Sequence, residues 1–122
     1  AIAVVSEPEV IKAEWRLIVY DGKVITGSMY KKHGHLQVEA GFPDGARAVT
    51  EEACRKWFPH PVFVMDIGLV STGKEDEFRI VECGSVNCAG YYDCDLGAIV
   101  RAMSEAAERE FYAPQPPAEG DR

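Results

Sequence analysis

The chain has no dense lysine/arginine cluster, no long hydrophobic run and no C-x-x-C pair, and each absence removes a class of function. Its 13 basic residues are outnumbered by 20 acidic ones, for a net charge of −7, so binding nucleic acid through a basic face is not supported. No stretch approaches the roughly 18 apolar residues that mark a membrane-spanning helix. The N-terminus, Ala1-Ile-Ala-Val-Val-Ser6, lacks the basic start, apolar centre and small-residue cleavage site of a secretory signal, so the cytoplasm is the expected compartment. The cysteines, Cys54, Cys83, Cys88 and Cys94, are not spaced like structural zinc ligands; a site built from the last three would need a fourth ligand. Reduced, mostly buried thiols are the expectation.

What is present is a chain of 122 residues, 47% of them hydrophobic, enough for one domain with a real core. Two apolar runs organise it, Val62–Val70 and Glu77–Cys83, joined by the polar stretch Ser71-Thr-Gly-Lys-Glu-Asp76. That pattern predicts a hairpin. A turn centred on Lys74 places Asp66 directly opposite Glu82 on one face. Like charges facing each other destabilise a sheet, and two carboxylates sharing a site resist joint ionisation unless a cation or proton intervenes. The pair therefore points to a hard divalent cation, Mg2+ or Mn2+; the bland alternatives are a register slipped by one residue or solvated strand ends. Residues Phe63, Met65, Ile67 and Leu69 are expected on one face, and Val62, Val64, Phe78 and Ile80 on the other. A sheet apolar on both sides must be covered on both sides.

A second hairpin precedes it. Glu14–Tyr20 and Lys23–Tyr30 flank Asp21-Gly22, a strong type I′ turn signal because both central positions need positive φ. An unbroken register sets Arg16 against Gly27, leaving space above the sheet for the guanidinium or a ligand; the structural alternative is an ion pair with Glu14 or another carboxylate. Lys31-Lys-His-Gly-His35 follows and suits either an anion or a solvated loop. Leu36–Val49 has no sustained period and reads as loop.

Thr50–Phe58 is predicted as a short helix capped by Thr50 and stopped by Pro59 and Pro61, with Ala53, Cys54, Trp57 and Phe58 on its buried side. Gly84–Asp93 is rich in small residues and can bring Ser85, Asn87 and backbone amides to a ligand. Asn87 can give an amide oxygen to the cation or simply fix a turn. Asp93 or Asp95 caps a last helix of 95–111, apolar at Leu96, Ile99, Val100, Met103, Ala106 and Ala107. Residues 1–13 are expected to form a connector or first strand, 14–112 the domain, and 113–122 a disordered tail. The expected fold class is α+β: an antiparallel sheet of about four strands in two hairpins, with two helices packed on one face.

Glu14-Trp15-Arg16 before an Asp-Gly hairpin, Ser28-Met29-Tyr30, Asp66, Glu82, Asn87 and Gly90-Tyr91-Tyr92, in this order, resemble the C-terminal lobe of an ATP-grasp ligase domain, nearest to the small ATP-grasp proteins of bacteria and phages. The resemblance covers about residues 5–110. It implies that Asp66 and Glu82, with Asn87 as a third oxygen donor, bind the Mg2+ (or Mn2+) that bridges ATP phosphates. It implies that Arg16 and Lys31 neutralise phosphate or an acyl-phosphate intermediate, as the catalytic residues of an ATP-dependent carboxylate–amine ligation. The family pattern is Glu-x-Asn, and Gly84 stands at its third position here. The resemblance also implies an upstream half holding adenine and phosphates, so the chain is expected to be a fragment or one half of a split enzyme, inactive alone. Its partners would be ATP, a small-molecule or peptide carboxylate and amine, and a missing N-terminal lobe or partner subunit; no nucleic acid or membrane is expected. The alternative is a non-catalytic α+β module that docks a partner through its exposed sheet face.

Overall fold

A computed structural model describes Ala3 and residues 9–114 of the chain. The apolar run Ile2–Val5, apart from Ala3, and the tail from 115 onward lie outside the described residues. In chain order the elements are β1 (Val10–Tyr20), β2 (Lys23–Lys32), β3 (His35–Ala40), α1 (Asp44–Lys56), β4 (Val62–Ser71), β5 (Asp76–Gly84), a 3-10 turn (Val86–Cys88) and α2 (Leu96–Tyr112). The strands form one five-stranded sheet in the order β3-β2-β1-β4-β5, and every neighbouring pair is antiparallel. The fold is α+β as expected, with one strand more.

Both predicted hairpins form. Asp21 and Gly22 have φ of 49° and 80°, the positive pair that a type I′ turn requires. The extra strand comes from the same device: His33 and Gly34, at φ 48° and 79°, turn β2 back into β3. The stretch from Leu36 to Ala40, expected as loop, therefore pairs with β2; all six residues of β3 are exposed, so no apolar alternation marks it.

The first helix also starts earlier than expected. It begins at Asp44 behind Pro43 and ends at Lys56, so Thr50 is not its cap. Thr50 lies inside the helix, fully buried, and its hydroxyl has no partner among the described residues. Gly45 in the first turn leaves room for the Phe78 ring, which a Cβ there would meet at 2.3 Å. Trp57 lies past the helix end and is 70% exposed rather than buried, while Cys54 does face the core.

Bulges decide which residues share a face. In β1–β2 the register shifts after Val19↔Val24, so that Ile18 pairs Thr26 and Arg16 pairs Ser28. Ile25 is the additional residue, and an additional residue inverts the facing of all that follow. Arg16 therefore does not face Gly27. Gly27 points to the other side, where a Cβ would meet Phe42 at 2.5 Å and Leu17 at 2.6 Å; the expected open space is filled. In β4–β5, Asp66 pairs Glu82 as predicted, and the shift comes just beyond, where Ile67 pairs Ile80 and Leu69 pairs Phe78. Phe78 consequently packs in the cluster of Ile67 and Met65 and not with Val62 and Val64.

The two helices lie on opposite faces of the sheet, not on one. Trp15, Leu17, Val19, Val24, Phe63, Met65 and Ile67 pack with Ala46 and Cys54 of α1. On the other face, Ile18, Val62 and Val64 pack with Val86, Cys94 and, from α2, Ile99 and Ala102. Covering both faces satisfies the two-sided apolarity of β4. α2 begins as predicted, with the Asp95 carboxylate accepting from Ala98 N at 3.1 Å.

The Gly27 contact gives a test of this packing. Gly27→Ala is expected to destabilise the fold by about 1–3 kcal/mol through overpacking, whereas Gly84→Ala, with nothing within 4 Å of the new methyl, changes stability by less than about 0.5 kcal/mol. Urea unfolding of the two variants beside the parent chain measures the difference.

Candidate functional site

Antiparallel registers on both sides of β1, and beyond it between β4 and β5, line up one row of directly opposed residues across four strands: Ser28 of β2, Arg16 of β1, Asp66 of β4 and Glu82 of β5. Directly opposed side chains on one face stand about 5 Å apart at Cβ, so the row is one continuous polar stripe through an otherwise apolar sheet.

Its centre is an ion pair. Arg16 Nε donates to Asp66 Oδ1 at 2.9 Å and Arg16 Nη2 to Oδ2 at 2.8 Å. This is the two-pronged geometry that makes arginine–carboxylate pairs strong. Asp66 is only 2% exposed, and a carboxylate so buried requires a partner. Bonding to Asp66 raises the Arg16 pKa above its already high value. The cation that makes the Asp66–Glu82 juxtaposition tolerable is thus already supplied by the chain. Arg16 pairs with neither Glu14 nor a surface acid.

Two tyrosines frame the guanidinium. The Tyr30 and Tyr92 rings are stacked with centroids 5.0 Å apart and planes 9° from parallel. Arg16 Cζ lies 5.3 Å from the first centroid and 5.2 Å from the second, within cation–π range. Arg16 Nη1 donates to the Gly90 carbonyl at 3.0 Å. Tyr30 donates its hydroxyl to Glu14 Oε1 at 3.3 Å, and burial, with help from Asp66 and Glu14, pushes its pKa far above the usual phenol range. Glu14 is itself buried and takes Lys31 Nζ at 3.4 Å. The segment that carries Gly90 and Tyr92 is fastened by the row's neighbours: Ser28 Oγ accepts from Asp93 N at 3.2 Å and Thr26 Oγ1 from Asp95 N at 2.8 Å.

Of the residues expected from sequence, Arg16, Asp66 and Glu82 are brought together. Lys31 stands beside them, opposite Glu14 and half-exposed. Asn87 lies on the 3-10 turn, where its N–H donates to Ser85 Oγ. It lines a separate cavity of about 640 Å3 with His60, Val86 and Met103, whose walls include neither Asp66 nor Glu82. The thiol site does not assemble: Cys94 is in the α2-side core, while Cys83 pairs with Met65 on the α1 side. Sequence reasoning quoted Tyr30 and Tyr92 without giving them a role; the Ser-x-Tyr and Gly-x-Tyr repeats were the available signal.

Whether the row suits Mg2+ turns on its donors. No group of three His, Cys, Asp or Glu side chains forms among the described residues. Mg2+ carried with a nucleotide needs only one or two carboxylates, the rest of its shell being water and phosphate oxygen. A carboxylate has about four lone-pair positions, so the Arg16 fork leaves Asp66 able to accept further, and Glu82 has no ion-pair partner among the described residues. The residues present fit the ion.

An antiparallel α+β sheet carrying a carboxylate pair beside an arginine defines the class in which such a row is found. The model of an ATP-grasp domain family, the second family of its clade, matches residues 2–102, and the chain belongs to that family. No curated protein and no solved structure matches it.

Two outcomes follow for the site. Asp66→Asn leaves Arg16 without its counter-charge and is expected to cost about 2–4 kcal/mol, read from urea midpoints. Alkaline pH acts on Tyr30 and on Cys94, whose thiol burial pushes up to about 11. Both groups bind their proton more tightly folded than unfolded, so the unfolded chain is the first to lose it and stability falls as pH rises. Midpoints are expected to hold between pH 7 and about 8.5, the ordinary thiol value, and to fall toward pH 11, with a shallower fall in Cys94→Ala.

Proposed function

We propose that the Arg16–Asp66–Glu82 row is the metal- and phosphate-handling face of an ATP-dependent carboxylate–amine ligase, the nucleotide-binding half being supplied by a further lobe or a partner subunit. The observation that carries this reading is the row itself: two carboxylates and an arginine in direct cross-strand succession, in a chain of the ATP-grasp family.

In this reading Asp66 and Glu82 hold the Mg2+ (or Mn2+), which when bound neutralises charge on the ATP phosphates. Asn87 would add an amide oxygen from the turn after β5; its place in the neighbouring cavity leaves the two carboxylates as the ligands on which the reading depends. Arg16, held by Asp66, is pre-aimed and stays charged at any working pH. Lys31, tethered to Glu14, is a second cation that can swing on a longer stem toward phosphate. The carboxylate substrate attacks the γ-phosphorus of ATP, giving an acyl phosphate and ADP, and an amine then displaces phosphate from the acyl carbon to form the amide. In such a phosphoryl transfer the protein mainly positions groups and stabilises charge. The substrates are proposed as a small-molecule or peptide carboxylate and amine. Docking of a partner through an open sheet face is less well supported, since α1 and α2 pack on opposite faces.

Calorimetric titration with ATP, with and without Mg2+ and with and without the upstream lobe supplied, tests the reading. Binding is expected to require the metal, and Glu82→Gln and Arg16→Ala are each expected to weaken it about tenfold or more, the value of a charge-assisted bond. Metal-independent binding, or variants indistinguishable from the parent, would count against it.

A further inference from the structure

Tyr92 combines two features that seldom coincide. Its φ is +50°, in the left-handed region that bulky aromatic residues rarely occupy. The other non-glycine residues there, Asp21 and His33, each precede a glycine in a two-residue hairpin turn; Tyr92 has no such excuse. What holds it is the flat stack on Tyr30, 5.0 Å away, with the Arg16 cation against both rings.

The consequence falls on Arg16. Each guanidinium nitrogen is already engaged: Nε and Nη2 with Asp66, Nη1 with Gly90 O. An anion that is to take two parallel bonds from Arg16 must displace one of these partners. Displacing Asp66 would strand a charge that is 2% exposed, a cost far above that of a neutral contact. Displacing Gly90 O moves an exposed carbonyl into water. Gly90 and Tyr92 are both exposed, and the chain is fastened only just beyond them, at Asp93 N and Asp95 N.

We propose that Tyr92 is the latch of a strap, residues 89–92, that closes Arg16 to anions, and that a phosphate-bearing ligand engages Arg16 when Tyr92 leaves the Tyr30 ring. This rests on the reading of Arg16 as the phosphate-binding residue. The latch lowers apparent anion affinity by the fraction of molecules with the strap open. Release of the left-handed strain at Tyr92 favours opening, and the tyrosine stack opposes it.

The test uses inorganic pyrophosphate with Mg2+ as the probe, titrated calorimetrically into the parent chain, Tyr92→Asn, Tyr92→Phe and Arg16→Ala, with urea midpoints showing that each is folded. Asparagine tolerates the left-handed conformation but cannot stack, so Tyr92→Asn is expected to bind about five- to tenfold more tightly. Tyr92→Phe keeps the ring and is expected to match the parent. Amide hydrogen exchange of residues 89–92 is expected to quicken when pyrophosphate is added to the parent chain. Equal or weaker binding by Tyr92→Asn, or a Tyr92→Phe that behaves like Asn, overturns the latch while leaving Arg16 as an anion ligand. Binding that survives unchanged in Arg16→Ala, or no binding in any chain, overturns the phosphate reading and the latch together.

Discussion

A carboxylate in the middle of a central strand, with almost no access to water, has to be neutralised from within, and the bidentate bond from Arg16 to Asp66 does this. Much of the local architecture follows from that requirement. β1 must lie beside β4 in a register that opposes residues 16 and 66. The face on which the pair stands cannot be closed with apolar side chains alone; tyrosines, a carbonyl and two strand hydroxyls close it instead. A buried ion pair is roughly neutral for stability against a hydrophobic replacement. The sheet would hold together as well with two aliphatic residues there, so the pair is better explained by what it positions than by what it stabilises.

The parts of this arrangement that rest on neighbouring residues were legible in the sequence. Asp21-Gly22 announced its hairpin, and the polar turn around Lys74 set Asp66 against Glu82. The structure gives that pair directly, because the bulge in β4–β5 lies just beyond it. Where a bulge intervenes between turn and site, the reading failed: Ile25 shifts every later partner of β1, turning Arg16 from Gly27 to Ser28. Bulges answer to what packs above the strand, here Phe42 over Gly27, and that contact is invisible to local pattern. β3 escaped because none of its side chains is buried, and the first turn of α1 escaped because Gly45, a poor helix former, stands where Phe78 needs the space.

The site was legible as a list of residues but not as a set of partnerships. Asp66, Glu82 and Arg16 were singled out, and they do meet. That Arg16 answers Asp66 depends on β1–β4 adjacency across 50 residues of chain, which no single-sequence pattern reports. The stack of Tyr30 on Tyr92 is similarly non-local. Lys31 and Asn87 came with the same family pattern, yet one is tied to Glu14 and the other lines a different cavity. Residues on adjacent strands inherit their geometry from the sheet, whereas those on flexible stems or turns do not.

The charge balance of the face carries a last consequence for the proposed chemistry. Glu14, Asp66 and Glu82 set three carboxylates against Arg16 and Lys31, and both cations are already bonded to acids. Left to itself such a face repels a polyphosphate. A divalent cation reverses the sign: placed on Asp66 and Glu82 it leaves the cluster net positive while Arg16 stays in place. Metal and phosphate are then each other's condition for binding, and the coupling is reciprocal by thermodynamic necessity. A surface built this way ignores free anions and free nucleotide alike and responds to the metal–nucleotide pair, a selectivity obtained from the order of four side chains across four strands.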